Sequence, residues 1–268
     1  MSSKTVVVKI GGGKGIDYDL FLQDFANYNN TILVHGGSHE LDQISKKLDK
    51  PPLILKSDNG STSRFTDKET MEIFNMVYCG KMNKMIVEKL QKLGVNAIGL
   101  SGIDGRIAEG SQNKPFRIIQ NGKKKVIRND MTGKVKTINI DLLNLLLVNG
   151  YTPVITPPAI SHQRTPINVD GDKLSGTIAS NIGSKIFVIL SNVPGLLKNQ
   201  ADNKSIVRNI NVNEIDDYIK KYAMGRMKKK LIGAKEAILN GVSKVIIAGA
   251  IKQSPLTNAL KGEGTIIS

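Results

Sequence analysis

Cysteine is nearly absent: Cys79 stands alone in 268 residues, which excludes a disulfide framework and a cysteine-ligated zinc site. The three histidines show no metal-ligand spacing, so no resident metal site is expected. Tryptophan is missing and aromatic residues make up 4% of the chain. Stacking platforms for nucleic acid are therefore sparse, and no DNA- or RNA-binding motif is present. No apolar run approaches the roughly 18 residues of a membrane span, and the first ten residues lack a secretory-leader pattern. A cytoplasmic protein without membrane or nucleic-acid partners is expected. Acidic residues are few, 23 against 38 Lys plus Arg, for a net charge of +15. That excess attracts an anionic nucleotide, lipid or acidic protein, unless it reflects a generally lysine-rich organism.

Hydrophobic residues are 40% of the chain, enough for a sizeable core. Short apolar, β-branched runs occupy residues 5–10, 31–34, 96–100, 153–156, 185–190, 244–248 and 265–267. Several are apolar throughout, as in strands buried on both faces of a parallel sheet. Helical patterns fill residues 18–28, 40–48, 68–93, 140–148, 173–181, 213–221 and 227–239. The alternation predicts right-handed βαβ units and an α/β fold, an open αβα sandwich around a mostly parallel sheet. Residues 105–136 break the pattern; segments 117–120 and 125–128 flank Asn121-Gly122, so a β-hairpin excursion is predicted there.

In open α/β sheets, ligands sit beyond the carboxyl ends of the strands, so the turns there matter most. Five stand out. Lys9-Ile10-Gly11-Gly12-Gly13 ends one strand; glycines let backbone N–H groups approach a phosphate, and the lysine adds charge. It lacks the Gly-Lys-Ser/Thr ending of a Walker loop, and a flexible turn explains it equally well. His35-Gly36-Gly37-Ser38 ends a second strand, with His35 read as orienting the turn rather than as a catalyst. Asn168-Val169-Asp170-Gly171-Asp172 precedes a helix; Asp172 either caps it or organises cationic groups. Ser191-Asn192-Val193-Pro194-Gly195-Leu196 is a nucleotide rim or a plain turn. Gly225-Arg226-Met227-Lys228-Lys229-Lys230 opens a helix with charge opposed to its dipole, which points to an anionic partner or a solvated run.

Taken in order, these segments resemble the amino-acid kinase family, within it the acetylglutamate kinase branch, over nearly the whole chain. The resemblance implies an N-terminal lobe (residues 1–184) that binds a carboxylate substrate and forms a homodimer, and a C-terminal lobe (185–268) that binds ATP. It implies Lys9 and Lys230 as the lysines that stabilise the transferring phosphoryl group, and Asp172 as the aspartate that holds both. Gly11, Gly12, Gly36 and Gly37 then match backbone donors around the phosphates and reacting carboxylate. Arg64 and Asn168 match the grip on the substrate's far end. Ser191, Asn192, Gly195, Leu196 and Met227 match nucleotide contacts, with Mg²⁺ carried on the ATP phosphates. Three positions depart from the family pattern: Ser38 replaces a third glycine, Asn192 a common aspartate, and Arg226 a glycine.

Ser63-Arg64-Phe65-Thr66-Asp67 and Met131-Thr132-Gly133-Lys134-Val135 are similar to the relatives that work in lysine and arginine synthesis. Their aminoadipate or glutamate is joined through its amino group to a small acidic carrier protein, LysW. Residues 114–136 hold eight basic side chains against the single acid Asp130. Lys123, Lys124, Lys125, Arg128 and Lys134 are accordingly expected to dock that carrier, since complementary charge speeds encounter and fixes orientation. A solubilising edge hairpin is the other reading. The expected activity is ATP-dependent phosphorylation of the carrier-linked side-chain carboxylate; N-acetylglutamate is the alternative acceptor.

Overall fold

The β-branched runs become strands wherever both of their faces find apolar cover. In this computed structural model the described residues are 5–56, 62–120 and 123–268, without the side chains of 119, 120, 123 and 124. In chain order they form β1 (Val6–Ile10), β2 (Thr31–His35), β3 (Ile54–Lys56), β4 (Thr62–Arg64), β5 (Ala97–Gly102), β6 (Ala108–Gln112), β7 (Phe116–Gln120) and β8 (Lys123–Ile127). There follow β9 (Gly133–Ile138), β10 (Thr152–Ser161), β11 (Pro166–Ile167), β12 (Ile186–Ser191), β13 (Asn209–Ile210), β14 (Lys244–Gly249) and β15 (Thr265–Ile267). The helices are α1 (Tyr18–Phe25), α2 (Ser38–Lys47), α3 (Lys68–Asn75), α4 (Asn83–Lys92), α5 (Ile140–Val148), α6 (Gly171–Asn181), α7 (Ile215–Tyr222), α8 (Gly225–Leu239) and α9 (Pro255–Leu260).

The large sheet runs β13-β15-β14-β12-β1-β2-β10-β6-β9, with β5 and β11 also paired to β10. Its central pairings are parallel; β14–β15, β6–β9 and β10–β11 are antiparallel. Alternate side chains define two cores. Val8, Ile10, Leu33, Val188 and Leu190 pack against α1, α4 and α9. Val7, Ile32, Val34, Phe187 and Ile189 pack against the layer containing α6 and α8. Each such side chain, fully removed from water, stabilises the fold by roughly 1.5–3 kcal/mol before ordering costs. A third cluster, including Leu41, Met71, Phe74 and Tyr78, joins α2 to α3.

Every predicted strand and helix is present, with three differences. The predicted helix 68–93 is continuous but widens into a π-helix over Met76–Met82. β10 runs on to Ser161, through Pro157 and Pro158, because its two halves serve different partners: Thr152–Thr156 pairs with β5, and Ala159–Ser161 turns to β11 and β6. Prolines ordinarily argue against a central strand, which is why only residues 153–156 were legible. Finally, the excursion predicted for residues 105–136 is only partly one: β6 and β9 extend the main sheet, and β7–β8 alone form a separate antiparallel pair. Its second strand is Lys123–Ile127 rather than 125–128, and the Asn121-Gly122 turn lies outside the described residues.

Candidate active site

Register places the site. Ile10 lies opposite both His35 of β2 and Leu190 of β12. The turns at residues 11–13, 36–37 and 191–192 therefore leave the sheet side by side at its carboxyl edge. They line one cleft of about 760 Å³. Lys9, Gly11, Gly12, Gly36, Gly37, Arg64 and Asn168 line it, as do Asp172, Ser191, Asn192, Gly195, Leu196, Met227 and Lys230. Every predicted catalytic, substrate and nucleotide residue is thus brought to one place. Of the docking residues, Lys125, Arg128 and Lys134 do not line it.

Strand alternation aims Lys9. It shares a face with Val7, which packs in the core containing α6 and α8, so its side chain runs toward those helices. Asp172, in the first turn of α6, meets it at 2.7 Å from Nζ to Oδ1, a charge contact without an aligned hydrogen bond. Lys230 of α8 donates to the other carboxylate oxygen at 2.9 Å. Asp172 is free for this because Asp170, not Asp172, caps α6, accepting from the Asp172 and Lys173 N–H groups at 2.9 and 3.1 Å. All three side chains are about nine-tenths buried, at 9–10% exposure. Burial pushes the Asp172 carboxyl up, but the two ammonium groups outweigh it and hold it well below the usual carboxylate range. Burial, helped by the charge of Lys9, draws Lys230 down against the pull of Asp172. The net cationic cluster at the cleft wall suits an anion with concentrated charge.

The two glycine turns are locked together. A Cβ on Gly12 would stand 2.1 Å from the Gly37 backbone nitrogen, so only glycine allows the turns to cross. Ser38 Oγ and the His39 N–H donate to the Gly12 carbonyl at 3.0 and 2.8 Å. The Tyr18 hydroxyl donates to Gly11 O at 3.0 Å, with Gly36 O at 3.4 Å. His35 supports the second turn from below. Asn83 Nδ2, fixed by Val154 O at 3.0 Å, donates to His35 Nε2, which leaves Nδ1–H to donate to Gly36 O at 3.1 Å. Burial lowers His35 to about 4, so it is neutral near pH 7 with both ring nitrogens occupied.

At the far end, Arg64 Nη2 donates to Asp42, while buried Nη1 has no partner among the described residues. Arg64 lines the cleft, and a guanidinium there fits a carboxylate. Asn168 Nδ2 donates to Thr66 Oγ1 at 2.9 Å, and the Thr66 N–H donates to the buried Asp130 carboxylate at 3.0 Å. Asp130 also accepts from the Thr132 hydroxyl. The single acid of the basic segment is thus spent inside, tying residues 64–66, 130–132 and 168 into one frame. Lys125, Arg128 and Lys134 are exposed, and none is paired with a carboxylate among the described residues. The side chains of Lys123 and Lys124 lie outside the described residues.

Sequence reasoning missed Phe74 and Tyr78, whose rings stack in the cleft wall at 4.0 Å and 15°. A Cβ on Gly37 would meet the Tyr78 ring at 3.2 Å, so the ring floors the second glycine turn. Their 74/78 spacing was legible only as helix core, because the π-helix that follows α3 and carries Tyr78 leaves no mark in hydrophobic period. Gln200, Tyr222 and Met224, which line the same cleft as Leu196, were missed for the same want of a local motif. Among the described residues no three carboxylate, imidazole or thiol groups cluster as a metal site. No described helix is long and apolar enough to cross a membrane.

Comparison with known proteins follows the same lines. A [LysW]-aminoadipate kinase of Deinococcus radiodurans is 49% identical over 267 residues, covering 98% of this chain and 91% of that protein. One from Thermus thermophilus is 47% identical over 268 residues, 98% of this chain and 99% of the relative. A [LysW]-aminoadipate/[LysW]-glutamate kinase of Saccharolobus solfataricus is 36% identical, covering 98% and 99%. Among solved structures, an N-acetylglutamate synthase of Neisseria gonorrhoeae superposes with a TM-score of 0.78 at 18% identity, over 98% of this chain and 59% of that one. The model of the amino acid kinase family matches residues 4–249, and the chain belongs to that family.

Proposed function

We propose that this chain is a [LysW]-aminoadipate kinase: it transfers the γ-phosphoryl group of ATP to the side-chain carboxylate of carrier-linked 2-aminoadipate. The single observation that carries the phosphoryl-transfer chemistry is the Lys9–Asp172–Lys230 set, two buried cations fixed by one carboxylate beside crossed glycine turns. A carboxylate oxygen attacks the γ-phosphorus in line, the bond to the β-phosphate oxygen breaks, and ADP leaves from an acyl phosphate. The attacking carboxylate is already ionised at neutral pH, so no general base is needed, and neutral, fully engaged His35 offers none. Lys9 and Lys230 meet the charge spread over the transferring group, and Asp172 keeps them apart at fixed spacing. The backbone N–H groups of the glycine turns orient phosphate and carboxylate oxygens. Mg²⁺ suits this cleft as an ion carried on the nucleotide, because Asp172 is committed to two lysines and Asp170 to a helix cap; it supplies neutralisation of phosphate charge.

The substrate's far end falls to Arg64 and to Asn168, which line the cleft. The nucleotide falls to Ser191, Asn192, Gly195, Leu196 and Met227, which divides the work between residues 1–184 and 185–268. The basic pair β7–β8 is the docking surface for the acidic carrier. β7 packs beside β3 of the β3–β4 hairpin, whose Ile54 and Arg64 line the cleft, so a carrier held there can feed its tethered residue inward. The relatives at 47–49% identity bear the aminoadipate name alone, which favours aminoadipate, and lysine synthesis, over glutamate and arginine synthesis. A cytoplasmic homodimer is part of this reading; exposed Leu145, Val148 and Tyr151 at the end of α5 give it an apolar face to bury. The test is hydroxamate trapping of the acyl phosphate, with carrier-linked aminoadipate, carrier-linked glutamate and N-acetylglutamate as acceptors. Turnover mainly on carrier-linked aminoadipate is expected; preference for N-acetylglutamate would refute the reading.

A further inference from the structure

Two side chains of the basic run that opens α8 have assigned work. Lys230 holds Asp172, and Lys229 donates to the Thr62 carbonyl at 2.9 Å across the cleft mouth. Arg226 does not: it lines the cleft, is exposed, and has no hydrogen bond or carboxylate partner among the described residues. Its guanidinium nevertheless occupies a defined place. From a Cβ built on Gly13, Arg226 Nη1 would lie at 3.7 Å and Asn192 Nδ2 at 3.8 Å. The side chain thus bends back from α8 over the first glycine turn, beside the amide of the third turn. It stands four residues before Lys230, one helical turn away on the same side of α8. Asn192 and Arg226 are two of the three positions where the sequence departs from the family pattern.

We propose that Arg226, with the Asn192 amide beside it, contacts the β-phosphate of the nucleotide and stabilises the charge that develops on ADP as the leaving group. An unpaired guanidinium over a glycine turn presents a planar fork to phosphate oxygens. The pairing of amide with arginine is also coherent in charge: an aspartate at 192 would pair with Arg226 and withdraw it from the phosphate, and asparagine leaves it free. The role rests on the kinase reading but not on which carboxylate is phosphorylated.

The experiment is calorimetric titration of wild type, Arg226→Met and Arg226→Gln with ATP, ADP and AMP in the presence of Mg²⁺, without acceptor. Both variants keep an exposed, helix-compatible side chain, and thermal melts check that they fold as wild type does. ATP and ADP binding is expected to weaken about ten- to a hundredfold, the loss of a charged hydrogen bond, with AMP within twofold of wild type. Unchanged ADP binding, or equal loss for AMP and ADP, overturns the assignment. A wild-type chain that binds no ATP overturns the kinase reading itself, and Arg226's role with it.

Discussion

Replacing Asp172 with asparagine keeps the shape of the α6 N-terminus and removes one charge, and the structure sets what should follow. Lys9 and Lys230 each sit at 9% side-chain exposure, within 2.7 and 2.9 Å of the carboxylate. Without it, two ammonium groups face one another in a mostly dry wall. Removing one partner of a buried ion pair costs about 3–5 kcal/mol; the cleft admits water, so the expected loss in urea unfolding is about 3 kcal/mol where both lysines are charged. The sign with pH is fixed. Burial and Lys9 already depress Lys230, and Asp172 is what raises it. In the variant Lys230 falls further below its ordinary value of 10.5, so the folded state prefers to shed its proton before the unfolded state does. The stability deficit should therefore be largest above the ordinary Asp172 value of 3.8, where wild type keeps its carboxylate charge, and shrink as pH rises through the variant's folded Lys230 value. Turnover should move the opposite way. kcat in the hydroxamate assay should fall by about 10²–10³ and decline further with rising pH, as Lys230 loses the charge it brings to the phosphoryl group. A variant with near-normal kcat, or with a deficit that does not vary with pH, would refute the account of Asp172 as the spacer of two cations. In wild type the same carboxylate stabilises the fold above its ordinary value of 3.8, a contribution lost as pH falls below that toward its depressed folded value.

Gly12→Ala puts a methyl 2.1 Å from a backbone nitrogen of the facing turn; turnover should collapse by at least about 10²-fold, and a near-native kcat would show that the turns can part. Arg64→Ala removes the guanidinium proposed to hold the substrate's far end; KM for the carrier-linked acceptor should rise about tenfold or more, with ATP affinity unchanged by calorimetry, and an unaltered KM would place the far carboxyl elsewhere. Lys134→Glu combined with Arg128→Glu should raise KM for the carrier-linked acceptor and flatten its dependence on ionic strength, without changing the melting temperature; unaltered kinetics would reduce the basic pair to a solubilising edge.

How much of this was legible in the sequence follows from where each signal resides. Lys9 and Ser191 lie at the ends of apolar strands, and Gly11, Gly12, Gly36, Gly37 and Asn192 follow directly. Their motifs were therefore local, and the parallel sheet needed only to align strand ends, which Ile10, His35 and Leu190 do in register. The charge set was legible as residue types but not as geometry. Strand alternation turns Lys9 toward α6 and α8, and the Asp170 cap is what frees Asp172 to meet both lysines. The frame at the substrate end was not legible, because its bonds join residues far apart in the chain: Thr66 to Asp130, and Asn168 to Thr66. Nor was the Phe74–Tyr78 floor, since a π-helix preserves composition while moving the face that its side chains present. The same distinction bears on specificity. On the proposed reading, groups that act on the phosphoryl transfer sit at strand ends and in the first turns of α6 and α8, while those that measure the acceptor hang on long-range hydrogen bonds and a widened helix. Substitutions in that second set can change which carboxylate enters without disturbing Lys9, Asp172 or Lys230. The acceptor should therefore be easier to alter by mutation than the reaction.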